Sequence, residues 1–405
     1  MIVVRYVNVN DIDFDNKFTH SNQISLGELI MMKKSIFAVA VASALTLGAA
    51  QAETVLYGSI RYDYESSKNY TDAGNNKFNS ERLSNLSDAG SRIGLKGSED
   101  LGNGFAVIYN LEYGFDGMTQ DEKNSFKTRK AILGVTSDFG TITAGRQDNP
   151  FKVTIVDDSV QDDFNGSSVI SSASQRAMTT TLKAQGPAFG TKYDADFSRV
   201  GKVIAYTTPE FAGFQANAAV MMDSDLYPTN SRKNADLWTI NAKYAYDVTA
   251  DGQILAKLGY IQGKVAGGFD EDGNAFNANG RYSSKAWGLF LGYISDSIKV
   301  SASYADGNHK IEHGDKQKSK GWDLGASYSF GPNYFSTVRA TYGQSELKQA
   351  DAKDKVKSWA VGFEQKLSTR TRAWVEYGQE ETKYAEANSE KRKDNVISIG
   401  MRHDC

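Results

Sequence analysis

An all-β fold, a closed antiparallel barrel spanning a membrane, is predicted by three observations. From Glu53 onward, apolar and polar residues alternate over roughly ten-residue stretches that turn-like segments repeatedly break. No long apolar run follows residue 52, so the spanning helix of about 20 residues that a helical membrane protein needs is missing there. Aromatic residues recur six to eight positions apart on one parity of the strands, a spacing that approaches the apolar band of a bilayer. Within lipid only helices and closed barrels pair every backbone N–H and C=O. A barrel turns half of its residues toward a wet lumen, so the negative mean hydropathy does not conflict with a membrane home.

The bulk numbers narrow the function classes. The chain has 405 residues, 46 basic and 49 acidic, for a net charge of −3. So balanced a chain reads neither as a nucleic-acid binder nor as an acidic tail, and no nucleic-acid partner is expected. Cysteine occurs once, as Cys405, which excludes an internal disulfide.

At the N-terminus, Lys33-Lys34 precedes an apolar, Ala-rich stretch from Ile36 to Ala50, and Ala50-Gln51-Ala52 fits small-x-small cleavage. Residues 32–52 are therefore expected to be a signal peptide, cut between Ala52 and Glu53 to leave 53–405 as the barrel. Residues 1–31 lack periodicity and would bury the positive n-region, so they are expected to be a mis-assigned upstream extension, with the initiator at Met31 or Met32.

Sixteen strands are expected, starting near Val55, Ser91, Phe105, Phe126, Thr141, Arg199, Phe214, Leu237, Gln253, Lys285, Ile298, Gly321, Phe335, Lys357, Thr371 and Asn395. In the eighth, Trp238, Ile240, Ala242, Tyr244 and Tyr246 alternate with Thr239, Asn241, Lys243 and Ala245. In the eleventh, Ile298, Val300, Ala302 and Tyr304 alternate with Lys299, Ser301 and Ser303, and in the twelfth Trp322 to Phe330 repeat the pattern. Connections alternate between short turns, such as Ser295-Asp296-Ser297 and Gly331-Pro332-Asn333, and long polar loops, read as Ser66–Gly90, Gly263–Ser283 and Asp306–Lys320. The longest gap, roughly Gln147 to Ser198, is expected to be a long third loop folded into the lumen, since a structureless loop of that length is usually functional.

His309-Lys310-Ile311-Glu312-His313 matches H-x-x-E-H, a zinc-protease pattern that belongs on a helix. In a Lys-rich loop between strands it is expected to be solvated, and no metal site follows. His403 has outward parity, which leaves Ser–His catalysis without support. With no phosphate-cradling glycine loop either, neither enzyme chemistry nor a cofactor is expected.

Several segments together carry a resemblance to a known family: Leu56-Tyr57-Gly58, Gly90-Ser91-Arg92-Ile93-Gly94-Leu95-Lys96-Gly97, Thr128-Arg129-Lys130-Ala131 with Gly134, Gly145-Arg146, Pro209-Glu210-Phe211-Ala212-Gly213 and Ile399-Gly400-Met401-Arg402-His403. In this order and spacing they resemble the trimeric general porins of Gram-negative outer membranes, of the beta- and gamma-proteobacterial type. The resemblance implies a sixteen-stranded barrel, a homotrimer, and passive diffusion of small hydrophilic solutes and ions. It implies contacts with outer-membrane lipid and lipopolysaccharide, and with the barrel-assembly machinery during insertion. It also implies a third loop facing a basic wall. Carried over, Arg92, Arg129 and Arg199 match positions on that wall. Arg61 and Lys96 join them by lumen parity, and the loop offers Asp157, Asp158, Asp162 and Asp163. Opposed charges would set up a transverse field focused by low-dielectric walls; the plain alternative for each Arg is a salt bridge within the wall. Such porins usually end in an aromatic residue, whereas Asp404-Cys405 stands here, which puts insertion efficiency in question. The rival readings are a substrate-selective channel for oligosaccharides or anions, and a surface adhesin or recognition barrel.

Overall fold

The computed structural model of the chain describes residues 53–73, 76–119, 126–166, 169, 172–183, 198–222, 237–269, 275–311, 316–385 and 391–405. The expected extension (1–31), signal peptide (32–52) and Ala52 lie outside the described residues; Glu53 is the first residue of the first strand.

The strands are β1 (Glu53–Ala73), β2 in three segments (Asn76–Asn79, Leu83–Asp88 and Arg92–Gly102), β3 (Phe105–Phe115), β4 (Phe126–Ser137), β5 (Gly140–Asp148) and β6 (Arg199–Thr207). They continue with β7 (Phe214–Met221), β8 (Leu237–Asp247), β9 (Gln253–Phe269), β10 (Ala275–Ile294) and β11 (Ile298–Ile311). The last are β12 (Lys316–Phe330), β13 (Ser336–Gln349), β14 (Ala352–Lys366), β15 (Thr371–Lys383) and β16 (Lys391–Asp404). All three segments of β2 pair with β1, so they count as one broken strand, and sixteen antiparallel strands result. Pairing of β1 with β16, from Ser59↔Asp404 to Asp72↔Lys391, closes the barrel and leaves no open edge.

Three of the long loops are shorter than their sequence suggests. β9 runs on to Phe269 and β10 starts at Ala275; β11 reaches Ile311 and β12 starts at Lys316; β1 and β2 continue through most of 66–90. Outside the bilayer both faces of a hairpin meet water, so the alternation that marks a strand disappears while the hydrogen-bonded ladder continues. His309 accordingly lies within β11, buried, with its Nδ1 2.9 Å from Ser284 Oγ, and not in a solvated loop; His313 lies outside the described residues.

Burial is inverted relative to a protein folded in water. Leu56, Ile240 and Leu324 are 64, 55 and 52 % exposed, while Asp63, Lys257 and Glu376 are 1, 2 and 1 % exposed. An apolar outside around a polar inside is the arrangement that lipid around an aqueous lumen selects. On the apolar face, Trp238–Tyr260, Trp287–Tyr304, Trp322–Tyr342 and Trp359–Tyr377 form four tilted pairs with ring centroids 5.2–5.6 Å apart. Farther along the same strands Tyr244, Tyr246, Tyr328 and Phe330 are exposed on that face. These two rows have the placement of interfacial aromatic girdles.

Between β5 and β6 the chain is not structureless. It holds α1 (Pro150–Ile155), a 3₁₀ turn (Gln161–Asp163) and α2 (Ala173–Lys183). Asn149 caps α1 by accepting from Phe151 N at 3.1 Å, and Pro150 stands at the first helical position, where its missing N–H costs nothing. The segment rests on the polar face of the sheet: α1 packs on β8 and β9, and α2 on β11, β12 and β13. Phe151, Ile155, Val156 and Met178 are buried there with Ile261, Ala286 and Ala305. Glycine in the wall makes this close approach possible. A Cβ at Gly321 would lie 2.1 Å from the Ala173 carbonyl oxygen, and one at Gly378 only 1.6 Å from that of Val169. Gly259, Gly288 and Gly325 stand in the same relation to the side chains of Phe151, Ile155 and Val160.

Candidate pore site

The expected basic residues share the polar face of neighbouring strands. Arg61 on β1 donates from Nε to Ser59 Oγ at 3.0 Å, and Ser59 is the register partner of Arg92 on β2. Arg92 makes no direct ion pair among the described residues, yet it lies within electrostatic reach of Glu112 and of Arg129, Arg402 and Arg199. Arg129 sits at a β-bulge in β4, where the register skips between Glu112↔Lys130 and Tyr113↔Thr128. A bulge re-aims a side chain, and here Arg129 Nε reaches Glu112 Oε1 at 2.6 Å. Arg199, at the start of β6, lies 3.5 Å from Asp148, which also pairs with Lys130 at 2.5 Å. Lys96 lies farther along β2, its ammonium 5.5 Å from the centre of the Tyr57 ring. Arg61, Arg92, Arg129 and Arg199 thus form one group, with Lys96 to one side.

The four loop carboxylates are all ion-paired. Asp157 lies 2.5 Å and Asp162 3.6 Å from Lys152 on α1. Asp158 reaches Lys257 of β9 at 2.8 Å, and Asp163 reaches Lys299 of β11 at 2.8 Å. Their exposure differs: Asp162 keeps 44 % of its side chain open, Asp163 35 % and Asp157 32 %, against 16 % for Asp158, which is turned into the wall. Burial pushes the Asp157 carboxyl up to about 6; Lys152 opposes the rise and the charge of Asp162 adds to it. Burial also raises Asp163 against the pull of Lys299. Lys152 is held above the usual lysine value, because Asp162 and Asp157 together outweigh its burial.

A polar cavity of about 340 Å³ brings basic and acidic candidates together in one lining. Arg61 and Arg402 line it together with Asp162, Asp163, Lys299 and Arg339. Arg402, Lys299, Lys152 and Lys257 were not among the sequence candidates. Arg402, Lys299 and Lys257 lie on the inward parity of their strands, so that signal was available; Lys152 carries no local mark.

Fixed anchors hold the loop. Asp323 on β12 accepts from Ala173 N (2.7 Å) and Ser174 N (2.8 Å) at the start of α2, and from the hydroxyls of Ser172 and Ser174, each at 2.7 Å. A carboxylate at a helix N-terminus meets both unpaired amides and the positive end of the dipole. Glu376 on β15 accepts from Asn165 N at 3.0 Å and Gly166 N at 2.8 Å. Arg339 on β13 donates to the Asp163 carbonyl while pairing with Glu364 at 3.0 Å and Glu376 at 3.2 Å. Lys257 donates to the Asp157 carbonyl at 2.6 Å, and Ser301 Oγ accepts from Val160 N at 2.9 Å. Among the described residues, no cluster of three or more His, Cys, Asp or Glu is arranged to hold a metal ion.

A closed barrel with an apolar outside and an ion-lined interior defines a transmembrane channel. The chain belongs to the Gram-negative porin family, whose sequence profile matches residues 38–385. It is similar to the major outer membrane protein P.IB of Neisseria lactamica, 26 % identical over 379 residues that cover 92 % of this chain and 99 % of that protein. The P.IB protein of Neisseria meningitidis serogroup B is 24 % identical over 389 residues, with the same coverage. Among solved structures, an anion-selective porin from Comamonas acidovorans matches with a TM-score of 0.59 and 19 % identity, over 88 % of this chain and all of that one. OmpT of Vibrio cholerae, solved in a trimer form, matches with a TM-score of 0.59 and 16 % identity, over 87 % of this chain and 99 % of that one. The protein is therefore an outer-membrane porin.

Proposed function

We propose that this porin is a general diffusion pore, passing small hydrophilic solutes and ions passively, without chemistry or a cofactor, and that the 149–198 loop forms its constriction. The observation that carries the reading is the shared cavity, which Arg61 lines together with Asp162 and Asp163. Arg92, Arg129 and Arg199 extend the basic side, and Lys96 continues it along β2. Asp157 belongs to the acidic side, whereas Asp158 serves to fix the loop to Lys257. Charged and dipolar solutes keep favourable contacts in such a slot, while bulky apolar ones lose solvation. A specific observation favours a mild anion preference within this reading: each of the loop acids lies against a lysine that offsets its charge.

The working assembly is a homotrimer, inserted by the barrel-assembly machinery and surrounded by lipid and lipopolysaccharide. Two observations support the trimer. The four outward tryptophans all lie on β8, β10, β12 and β14, so the β1–β7 side of the perimeter carries none of these lipid anchors. A similar barrel, that of Vibrio cholerae OmpT, has been solved as a trimer. Residues 32–52 serve as the signal peptide, with cleavage between Ala52 and Glu53, and 1–31 lie upstream of the true start.

The test is planar-bilayer conductance of the purified protein, with reversal potentials under a salt gradient. Stepwise closure in threes, with wide and weakly selective conductance, is expected. Silent membranes from demonstrably folded protein would refute a diffusion pore.

A further inference from the structure

We infer that the short-turn rim between β2 and β9 docks a cationic, apolar-studded peptide segment of a periplasmic partner. The inference rests on the reading of the chain as an outer-membrane barrel, whose short turns face the periplasm. Consecutive hairpin ends carry the same pair, an acid followed by an apolar residue: Asp100-Leu101, Asp138-Phe139, Glu210-Phe211 and Asp247-Val248. Leu101, Phe139, Phe211 and Val248 are 56, 78, 83 and 50 % exposed. Among the described residues, Phe139 and Phe211 are the most exposed of the large apolar side chains, ahead of lipid-facing Leu56 at 64 %.

These turns are fixed by hydrogen bonds. Tyr206 Oη donates to the Phe139 carbonyl at 2.5 Å, and Phe211 and Phe214 exchange N–H···O bonds of 2.9 Å. Ala245 N donates to the Gly213 carbonyl at 2.9 Å, and Val248 N to that of Gly252 at 2.9 Å. Apolar tips held in this way can be covered with little ordering cost. Charge selects what covers them. Segments 99–104, 138–140, 208–213 and 247–252 contain Glu99, Asp100, Asp138, Glu210, Asp247 and Asp251, and neither Lys nor Arg. Of these acids, only Glu210 has an ion-pair partner among the described residues, Lys243 at 3.0 Å. The turn from β14 to β15 instead carries Arg370 and no acid, so the acidic character is local to one part of the rim. Anionic lipid headgroups would be repelled by these carboxylates, and a second copy would set its own acids against them. A basic segment with spaced apolar residues answers both features. Successive turns lie two strand spacings apart, ~10 Å, a distance that about three residues of extended chain span.

The experiment is fluorescence anisotropy of a labelled synthetic peptide of about four Leu-Lys-Lys repeats, titrated with the purified full-length protein in nonionic detergent. The wild type is expected to bind this peptide and to leave a matching Leu-Glu-Glu peptide unbound. Phe139→Ser combined with Phe211→Ser should weaken binding about 100-fold, roughly tenfold for each ring that the peptide half covers. The pair Phe139→Leu and Phe211→Leu should keep most of the affinity, which separates loss of apolar contact from loss of folding. Asp100→Asn with Asp138→Asn should weaken binding about tenfold at low salt and converge with the wild type at about 0.5 M salt. Equal affinity of the Ser variant, or equal binding of the Leu-Glu-Glu peptide, would overturn the inference. Loss of the trimer on native gels with peptide affinity unchanged would overturn it in favour of a contact between copies. Bilayer conductance, expected to be unchanged in every variant because these side chains lie outside the lumen, tests the pore reading separately.

Discussion

Replacing Asp323 by Ala removes the carboxylate that receives the N-terminal amides of α2. Asp323 is 1 % exposed and accepts four hydrogen bonds from Ser172, Ala173 and Ser174. Hydrogen bonds to a charged group contribute about 1.5–3 kcal/mol each, but water in the lumen would take over the two hydroxyls. Counting only the two amides at the lower figure gives about 3 kcal/mol, and the loss of a charge at the helix N-terminus adds ~0.5–1 kcal/mol. At 1.4 kcal/mol per decade, the ratio of docked to undocked α2 falls by roughly 500-fold. The loop groups held by Lys257, Arg339 and Glu376, at Asp157, Asp163 and Gly166, lie before residue 167 and keep their anchors, so the change is confined to the distal half of the loop. Single-channel recording is the assay: Asp323→Ala should raise mean conductance and open-channel noise, and Asp323→Asn should fall between it and wild type. Conductance, noise and exclusion of sized polymers all identical to wild type, in folded protein, would refute the claim that this carboxylate holds the constriction in place.

Other expected outcomes follow from the same structure. Arg92→Ala should move the reversal potential toward cations by about 1 kcal/mol in relative permeability, roughly fivefold at most, because the lumen is wet and screened; no movement in a salt gradient would take Arg92 off the basic wall. Since Asp157 titrates near 6, lowering the pH from 7 to 5 adds a proton to it and one positive charge to the lumen, so anion preference should rise. Asp157→Asn should remove that step from a pH series of reversal potentials. Gly378→Ala, with its Cβ 1.6 Å from the Val169 carbonyl oxygen, should force the loop off β15 at a cost of about 1–3 kcal/mol, measurable as altered conductance with the barrel intact. Arg339→Ala leaves Glu364 and Glu376 without their buried cation and should destabilise the fold by about 3–5 kcal/mol, read as a lower temperature of barrel unfolding.

The barrel was legible because lipid and water write opposite demands on alternate residues. Trp238 to Tyr246 could be assigned to a face from parity alone, and the structure exposes Trp238, Ile240, Tyr244 and Tyr246 to the outside. Legibility stops where the solvent becomes the same on both faces, which is why the hairpin of β9 and β10 looked like a loop from Gly263 to Ser283. It stops for a second reason inside the loop. α1 spans only six residues, too few for a helical period to show, and its apolar contacts are with Ile261 and Ala286, more than 100 positions away. Asp323 illustrates the same limit: in sequence it is one polar residue of an alternating strand, and its partners lie 149–151 residues upstream. Among the candidate charges, Arg92, Arg129 and Arg199 were readable from the family pattern, and Arg61 from lumen parity alone. Pairing of the loop acids with lysines was not, since it depends on where the loop lands.

The glycines beneath the loop have a consequence for how such a channel can change. Gly259, Gly288, Gly321, Gly325 and Gly378 on four strands form a negative imprint of a path that a different stretch of chain describes. Mould and cast are encoded more than 80 residues apart, so neither can be exchanged alone. A loop grafted from a relative would meet hollows cut for another backbone, and a barrel carrying alanines at these sites would eject the native loop. Variation in this lineage is thereby channelled into side chains that face the water, where charge can be retuned without moving the chain.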